Sequence, residues 1–497
     1  MSTNKIKSLV IAGGGSAGWM TAAMLSKLFS PAIKIILVES DAIGTVGVGE
    51  ATIPAIKNFN RMLGIDEADF LKFTKGTFKL GIQFDNWGKV GDSYMHAFGR
   101  VGNSIAASSE FSDASFIDYW LKYKQKYDSS DFWDFSLNYL ASKDNKFCDE
   151  TSYAYHFDAS LYAKYLRELS EKWGVERVEG KITNVKKDER GFIKQLNLES
   201  GKEVSGDFFI DCTGFRSLLI GETLGSEYED WSHWLPADSA IAVQSSSTKQ
   251  PIPYTRSTAH KVGWQWCIPL QHRVGNGIVY SSKFMDDDEA RKTLVDNIDG
   301  DLLTEPRVIR FKTGMRVEPW KNNCLAIGLA SGFLEPLEST SLHLIHTGIK
   351  RFVKLFPSKE NFHKERTEYN SQTNNEYQRV RDVIILHYYL NQRDDSDFWI
   401  YCREMDIPES LKQKIETFTR TSRIEQKEGD MFSKRSWQQI MLGQGITPNG
   451  YHPIVDLMPE SQLEKVFAQM REKIEMELEN LPTHQEFIDS FCKADSY

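Results

Sequence analysis

Three glycines, Gly13, Gly15 and Gly18, stand in GGGSAGWMTAAM, directly after a short apolar run. A glycine-rich turn between a strand and a helix lets the backbone approach a pyrophosphate, and the helix then offers unpaired N–H groups and the positive end of its dipole to the phosphates. The spacing alone also occurs as a tight turn with no ligand. Here Glu39 closes the next apolar run, KIILVE, 21 residues after Gly18, where a carboxylate can bind ribose hydroxyls and disfavours a 2′-phosphate. The chemistry implied is dinucleotide binding. A second pair, Trp264 and Trp266 in GWQWCIPL, sits two residues apart and shares one face of a short strand ending at Pro269. Taken alone, such a pair reads as core filler or barrel lining.

The elements that must position these residues follow from periodicity. Residues 5–12 read as a buried strand, 19–29 as a helix, and KIILVES as a second strand, which together make a βαβ unit. Residues 56–170, charged and rich in aromatics, read as mostly helical with loops. Residues 175–214 read as a β-meander returning to the sheet at 208–212, and 238–320 as strand-rich. Beyond Arg351 the chain turns to charged helices, including an amphipathic run of Leu463, Val466, Phe467, Met470, Ile474, Leu478 and Leu481. Glycine clusters at 210–219 and 326–336 lie where flavoproteins complete the dinucleotide site. A nicotinamide dehydrogenase has no need of the long excursion from residue 40 to 205, whereas the extended FAD does. The expected fold class is α/β: a Rossmann-type FAD-binding module, like that of flavoprotein monooxygenases, with interleaved β-sheet and a largely helical substrate module. The expected division is 1–355 for the flavin module, with substrate-contacting segments at about 56–170 and 238–320, and 356–497 for the mainly helical module.

Bulk composition narrows the partners. The chain has 497 residues, 40% hydrophobic and 12% aromatic, with a net charge of −9. That length suits two or three connected modules with large cores. No basic stretch interleaves with aromatics, which excludes nucleic acid as a partner. The six cysteines are scattered, without CxxC or clustering with histidine, so neither a disulfide framework nor a zinc site is expected and no metal is assigned. Apolar stretches break within about ten residues, against the roughly twenty a membrane span needs, and the N-terminal residues leave no room for a signal peptide. A cytoplasmic protein with no membrane partner is expected, with a homodimer left open.

Five motifs carry a resemblance: GGGSAGWM, VGVGEATIP (46–54), FKLGIQF (78–84), GWQWCIP (263–269) and FLEPLESTS (333–341). In this order, together with HYYLNQRDDSDFW (387–399), they resemble the flavin-dependent tryptophan halogenase family along the chain. The resemblance implies that FADH2, supplied by a separate flavin reductase, reacts with oxygen and halide (chloride, bromide or iodide) to give hypohalous acid. This acid then crosses an internal tunnel to an electron-rich aromatic substrate of indole or phenol type, with tryptophan one candidate. It also implies a cofactor site of Gly13, Gly15, Ser16, Ala17, Gly18, Glu39, Ala51, Gly328 and Leu337, and a tunnel edged by Trp264, Trp266, Ile268 and Pro269. The bulk of the two tryptophans would keep the substrate from the flavin.

By the same resemblance Lys79 and Glu338 are the catalytic pair. A lysine shielded from bulk water can hydrogen-bond hypohalous acid or be halogenated itself; otherwise Lys79 is a surface lysine. A carboxylate near the substrate can stabilise a cationic ring intermediate; otherwise Glu338 is an acid at a helix start that Ser339, Thr340 and Ser341 cap. Halide falls to Thr340 and Ser341, where relatives usually carry glycine at the second position. Substrate falls to His96 and Phe98, and to Tyr388, Phe398 and Trp399, all of which also read as ordinary buried aromatics. The alternatives are an FAD-dependent aromatic monooxygenase and a non-catalytic flavoprotein.

Overall fold

The computed structural model describes residues 5–43, 49–102, 114–127, 129–359 and 361–495. Val46, Gly47 and Val48 of VGVGEATIP lie outside the described residues. The strand Ser8–Ala12, the helix Ser16–Phe29 and the strand Lys34–Glu39 form the βαβ unit. Their sheet has six strands, with Ser8–Ala12 parallel to both Lys34–Glu39 and Phe208–Asp211. Glu176–Glu179 and Cys324–Ala326 extend it on either side, again in parallel. Both faces are covered, so its strands are continuous apolar runs such as LVIA and IILV, with Leu9, Val10, Ile11 and Leu37 all buried.

A second sheet of seven strands carries the rest of the candidate site. From one edge its strands are Arg307–Arg310, Ser239–Ser245, Val274–Tyr280, Trp264–Pro269, Thr255–Ala259, Gly81–Asp85 and Ser93–Ala97. Neighbours are antiparallel except for Gly81–Asp85 against Thr255–Ala259, where Ile82 faces Thr255. One hydrophobic core joins this sheet to the C-terminal helices through Trp264, Ile278, Val380, Phe398 and Phe467. The last helix, His484–Phe491, returns to a second core, shared with Leu9, Trp19 and Phe208, through Ile488.

Residues 56–170 are less helical than their composition suggests. The helices Ala55–Leu63, Glu67–Thr74, Phe116–Lys126 and Ala159–Lys172 are present, but so are the strands Thr77–Lys79, Gly81–Asp85, Ser93–Ala97 and Ala154–Asp158. Distant pairing fixes these strands. Thr77–Lys79 lies against Ala154–Asp158 in a three-stranded sheet with Gly49–Ala51, and one residue later Gly81–Asp85 joins the seven-stranded sheet. Leu80 bridges the two, its N–H donating to Pro253 O at 2.7 Å. Gly81 permits the crossing, because a Cβ there would lie 2.6 Å from His96 O. Lys79 is therefore the last residue before the chain changes sheets, a fully buried position.

Candidate active site

A cleft of about 540 Å³ opens at the carboxyl ends of the parallel strands. Gly13, Gly15, Ser16 and Ala17 form its floor, and Glu39, Ala51 and Gly328 border it. Gly13 adopts φ +106°, and a Cβ there would meet Cys212 O at 2.2 Å. Asp211 shapes that facing loop by accepting bonds from Thr213, Leu219 and Ile220 N–H. Gly15 has open space before it, and the helix it starts has no side-chain cap, so its N–H groups remain available to phosphate. Gly18 lies beneath, where a Cβ would come 1.9 Å from Gly13 O. Leu337 is buried off the cleft wall. Glu39 accepts from Arg177 Nε at 2.6 Å and Trp19 Nε1 at 3.3 Å, and a Cβ on Gly14 would collide with its carboxyl. These residues fit a dinucleotide.

Across the cleft stands the tryptophan strand. Trp264, Trp266 and Ile268 line it, with the two indoles 6.1 Å apart. Trp266 faces Gly277 in register, and a Cβ at 277 would fall 2.0 Å from its ring. Pro269 O accepts from Thr77 Oγ1 at 2.7 Å, which joins this strand to the one bearing Lys79. Trp264 Nε1 donates to Glu335 Oε2 at 3.0 Å, and Tyr388 OH donates to the same oxygen at 2.6 Å. Glu335 is fully buried, and burial lifts its carboxyl to about 7. The folded chain thus holds a proton that the unfolded chain has released between pH 4.5 and about 7, and its stability declines as pH rises through that window. Glu335→Gln stays neutral throughout. It should match the parent below the window and exceed it by roughly 3 kcal/mol above, at about 1.4 kcal/mol per pKa unit; chemical denaturation at both ends of the window checks this.

Lys79 and Glu338 meet on the far side. Lys79 is fully buried, and its Nζ donates to Ser339 Oγ at 2.8 Å and lies 5.4 Å from the centre of the Phe98 ring. Burial pushes its amine down to about 7, against the opposing pull of the Glu338 charge. Glu338 is gripped at both oxygens: Oε2 by His96 Nδ1 and Oε1 by His387 Nε2, each at 2.8 Å. Burial pushes its carboxyl up, yet the two imidazoles outweigh it and hold the group down at about 2. His387 Nδ1 accepts from Tyr94 OH at 2.7 Å, and burial keeps this imidazole below its usual range. A chain of hydrogen bonds, Tyr94 to His387 to Glu338, results. Ser339 holds the left-handed conformation with φ 58°, strain of order 1 kcal/mol or more for a non-glycine, which aims its hydroxyl at Lys79.

His96 and Phe98 come together with Lys79 and Glu338, their rings 6.1 Å apart and edge to face. The C-terminal helix Lys434–Gly443 fixes their strand, since Gln439 bonds both N–H and O of Ala97 at 3.0 Å. Tyr388, Phe398 and Trp399 gather elsewhere: all three are fully buried behind Trp87 and Trp264, with Trp399 Nε1 donating to His260 O. Thr340 begins the helix Ser341–Lys354 without capping it, contrary to the capping reading, and its buried hydroxyl has no partner. Ser341 borders the cleft. Sequence reasoning did not single out His387, Tyr94 or Glu335, and gave Ser339 only as a helix cap. His387 lies in HYYLNQRDDSDFW and Glu335 and Ser339 in FLEPLESTS, so their signal was present, but their partners are distant in sequence. Among the described residues no cluster of His, Cys, Asp or Glu could hold a metal, all six cysteines are unpaired, and no helix is long and apolar enough to cross a membrane.

The family model described as tryptophan halogenase matches residues 8–460. The tryptophan 6-halogenase of Streptomyces toxytricini is 32% identical, covering 98% of this chain and 99% of that protein. Among solved structures, a flavin-dependent halogenase from Xanthomonas campestris superposes with TM-score 0.96 at 47% identity, covering 99% of this chain and 100% of the other. One from Brevundimonas sp. BAL3 superposes with TM-score 0.93 at 43% identity, covering 98% and 99%.

Proposed function

Because this chain belongs to the tryptophan halogenase family, flavin-dependent halogenases that use FAD, halide and a separate flavin reductase, we propose that it halogenates a small aromatic ring at Lys79 and Glu338, apart from the flavin cleft. The observation that carries this reading is the position of Ser339, which borders the cleft and accepts the Lys79 hydrogen bond. When bound and reduced, FAD supplies the electrons with which oxygen turns halide into hypohalous acid. Gly13, Gly15 and the uncapped helix behind them hold the pyrophosphate, and Glu39 with Arg177 borders the ribose end. Thr340 Oγ1 and the N–H groups opening the helix Ser341–Lys354 suit a halide anion, since both lack partners from a cap.

Trp264 and Trp266 keep the organic substrate off the flavin, and Tyr388, Phe398 and Trp399 brace them from behind. His96 and Phe98 border the substrate ring. The Lys79 ammonium donates to the oxygen of hypohalous acid and gives it a proton as the halogen moves to the ring, so that hydroxide departs as water. Glu338, held anionic, stabilises the cationic ring. The ring proton then restores Lys79, and the sum is ArH + HOX → ArX + H2O. In this reading residues 1–355 serve the flavin and 356–497 mainly the substrate side. Indoles and phenols fit the site, with tryptophan among them, as the name of the Streptomyces toxytricini relative suggests. We place the enzyme in the cytoplasm, beside its reductase; sedimentation decides between monomer and homodimer.

The test supplies the protein with FAD, a flavin reductase, oxygen and bromide, against a panel of indoles, phenols and tryptophan. Mass spectrometry should show the bromine isotope pair on at least one product. A product carrying only added oxygen would favour the monooxygenase reading, and flavin binding with no product the non-catalytic one.

A further inference from the structure

Forming hypohalous acid consumes a proton. The balance is FADH2 + O2 + X⁻ + H⁺ → FAD + HOX + H2O, in which two electrons leave the flavin and two leave the halide to reduce dioxygen. That proton must arrive in the flavin cleft, because the halide is oxidised there. Lys79 cannot be its source, for it acts on hypohalous acid already formed.

Among the described residues, only two acids border the cleft, Glu39 and Glu50. Glu39 is engaged by Arg177 and Trp19. Glu50 has no hydrogen-bond or ion-pair partner for its carboxyl among those residues. It sits in the strand Gly49–Ala51, whose residues face Asp158, Phe157 and His156 in register. The strand also leans on the tryptophan strand, since a Cβ on Gly49 would lie 3.2 Å from Ile268 Cγ2. Glu50 therefore reaches the cleft between its flavin floor and its tryptophan side.

We propose that Glu50 delivers the proton consumed when halide is oxidised in the flavin cleft. The proposal rests on the halogenase reading above. Burial lifts the Glu50 carboxyl to about 7, so it holds a transferable proton at neutral pH. The titratable groups on the elements packed against it do not reverse this. His156 is kept neutral by burial, Asp158 is paired with Arg273 at 2.5 Å, and burial pushes the Cys267 thiol up. Of the cations on the cleft wall, Lys181 and Arg216, the second is paired with Glu222. After each turnover Glu50 regains its proton from solvent through the open cleft.

The test uses the full chain with FAD, reductase and bromide, no aromatic substrate, and a thioether that traps the hypohalous acid that escapes. Glu50→Gln should bind FAD as the parent does, yet yield about a hundredfold less trapped acid per flavin oxidised. Hydrogen peroxide should replace it, by FADH2 + O2 → FAD + H2O2. In the parent, trapping should fall as pH rises through about 7. Glu50→Asp should keep that limb with an intermediate yield, and loss of the limb in Glu50→Asp overturns the proposal. Infrared spectra of the FAD-bound, resting protein give a readout apart from turnover: a protonated carboxyl band titrating near neutrality in the parent and missing from Glu50→Gln. Full trapping by Glu50→Gln, or a parent band that does not titrate there, overturns the proposal while the halogenase reading stands. No trapped acid from the parent overturns both.

Discussion

Lys79→Met loses halogenated product by about a thousandfold or more, while flavin oxidation and oxygen uptake continue at the parent's rate. The lysine is fully buried and does not itself line the cleft in which flavin reacts, so its removal leaves the lining residues in place. The interaction it makes with hypohalous acid strengthens as hydroxide departs, so the loss falls on turnover more than on substrate binding. The same substitution should stabilise the fold. The Lys79 amine titrates near 7 in the folded chain against 10.5 for a free lysine, so between these values the unfolded chain binds more protons and stability rises with pH. Below that window the parent bears the full cost of a buried ammonium, several kcal/mol at about 1.4 kcal/mol per unit. Lys79→Met should therefore gain most in stability below neutral pH and little at strongly alkaline pH. Denaturation curves across that range, read beside the product assay, separate a lost catalytic group from a damaged fold.

Glu338→Gln slows halogenation by about 10² to 10³-fold, equivalent to roughly 2.7–4 kcal/mol of lost electrostatic stabilisation. The amide keeps the shape but not the charge that the two histidines surround. It also removes the anion that supports the Lys79 ammonium, so the pH at which Lys79 loses its proton should fall further. Stability provides the second signature. With its folded value at about 2 against 4.5, the carboxylate contributes stability that is complete above pH 4.5 and vanishes as pH falls towards 2. By that measure the contribution is roughly 3 kcal/mol at about 1.4 kcal/mol per unit. Glu338→Gln should flatten the acid limb of the stability profile, and kinetics with acid denaturation on one sample would check both effects.

The parts of this site that were legible in the sequence are local. Gly13, Gly15, Gly18 and Glu39 act within one βαβ unit, so their spacing specifies their geometry. Lys79 and Glu338 were found through motifs, since neither a lone lysine nor a lone glutamate declares its burial. The histidine grip on Glu338 was hidden because His96, Glu338 and His387 lie on three separate elements, 242 and 49 residues apart in sequence. The strands in residues 77–97 were hidden for a related reason: FKLGIQF is divided between two sheets, and its partners lie at 154–158 and 255–259. Tyr388, Phe398 and Trp399 show the converse. Their aromatic character announced a cluster but not its partners: Tyr388 bonds Glu335, Tyr388 and Trp399 pack on Trp87, and Phe398 packs on both.

A trapping experiment tests most directly whether halide oxidation and halogen transfer occupy different places. Parent and Lys79→Ala are each supplied with FAD, reductase, bromide, an accepted indole and a thioether in excess. Sulfoxide and bromoindole are then counted against flavin oxidised. In Lys79→Ala, sulfoxide should rise by the amount that bromoindole falls, with flavin turnover unchanged, because hypobromous acid still forms and now escapes. Regioselective bromoindole at the parent's yield, or disappearance of bromoindole and sulfoxide together, would contradict the separation of the flavin cleft from Lys79.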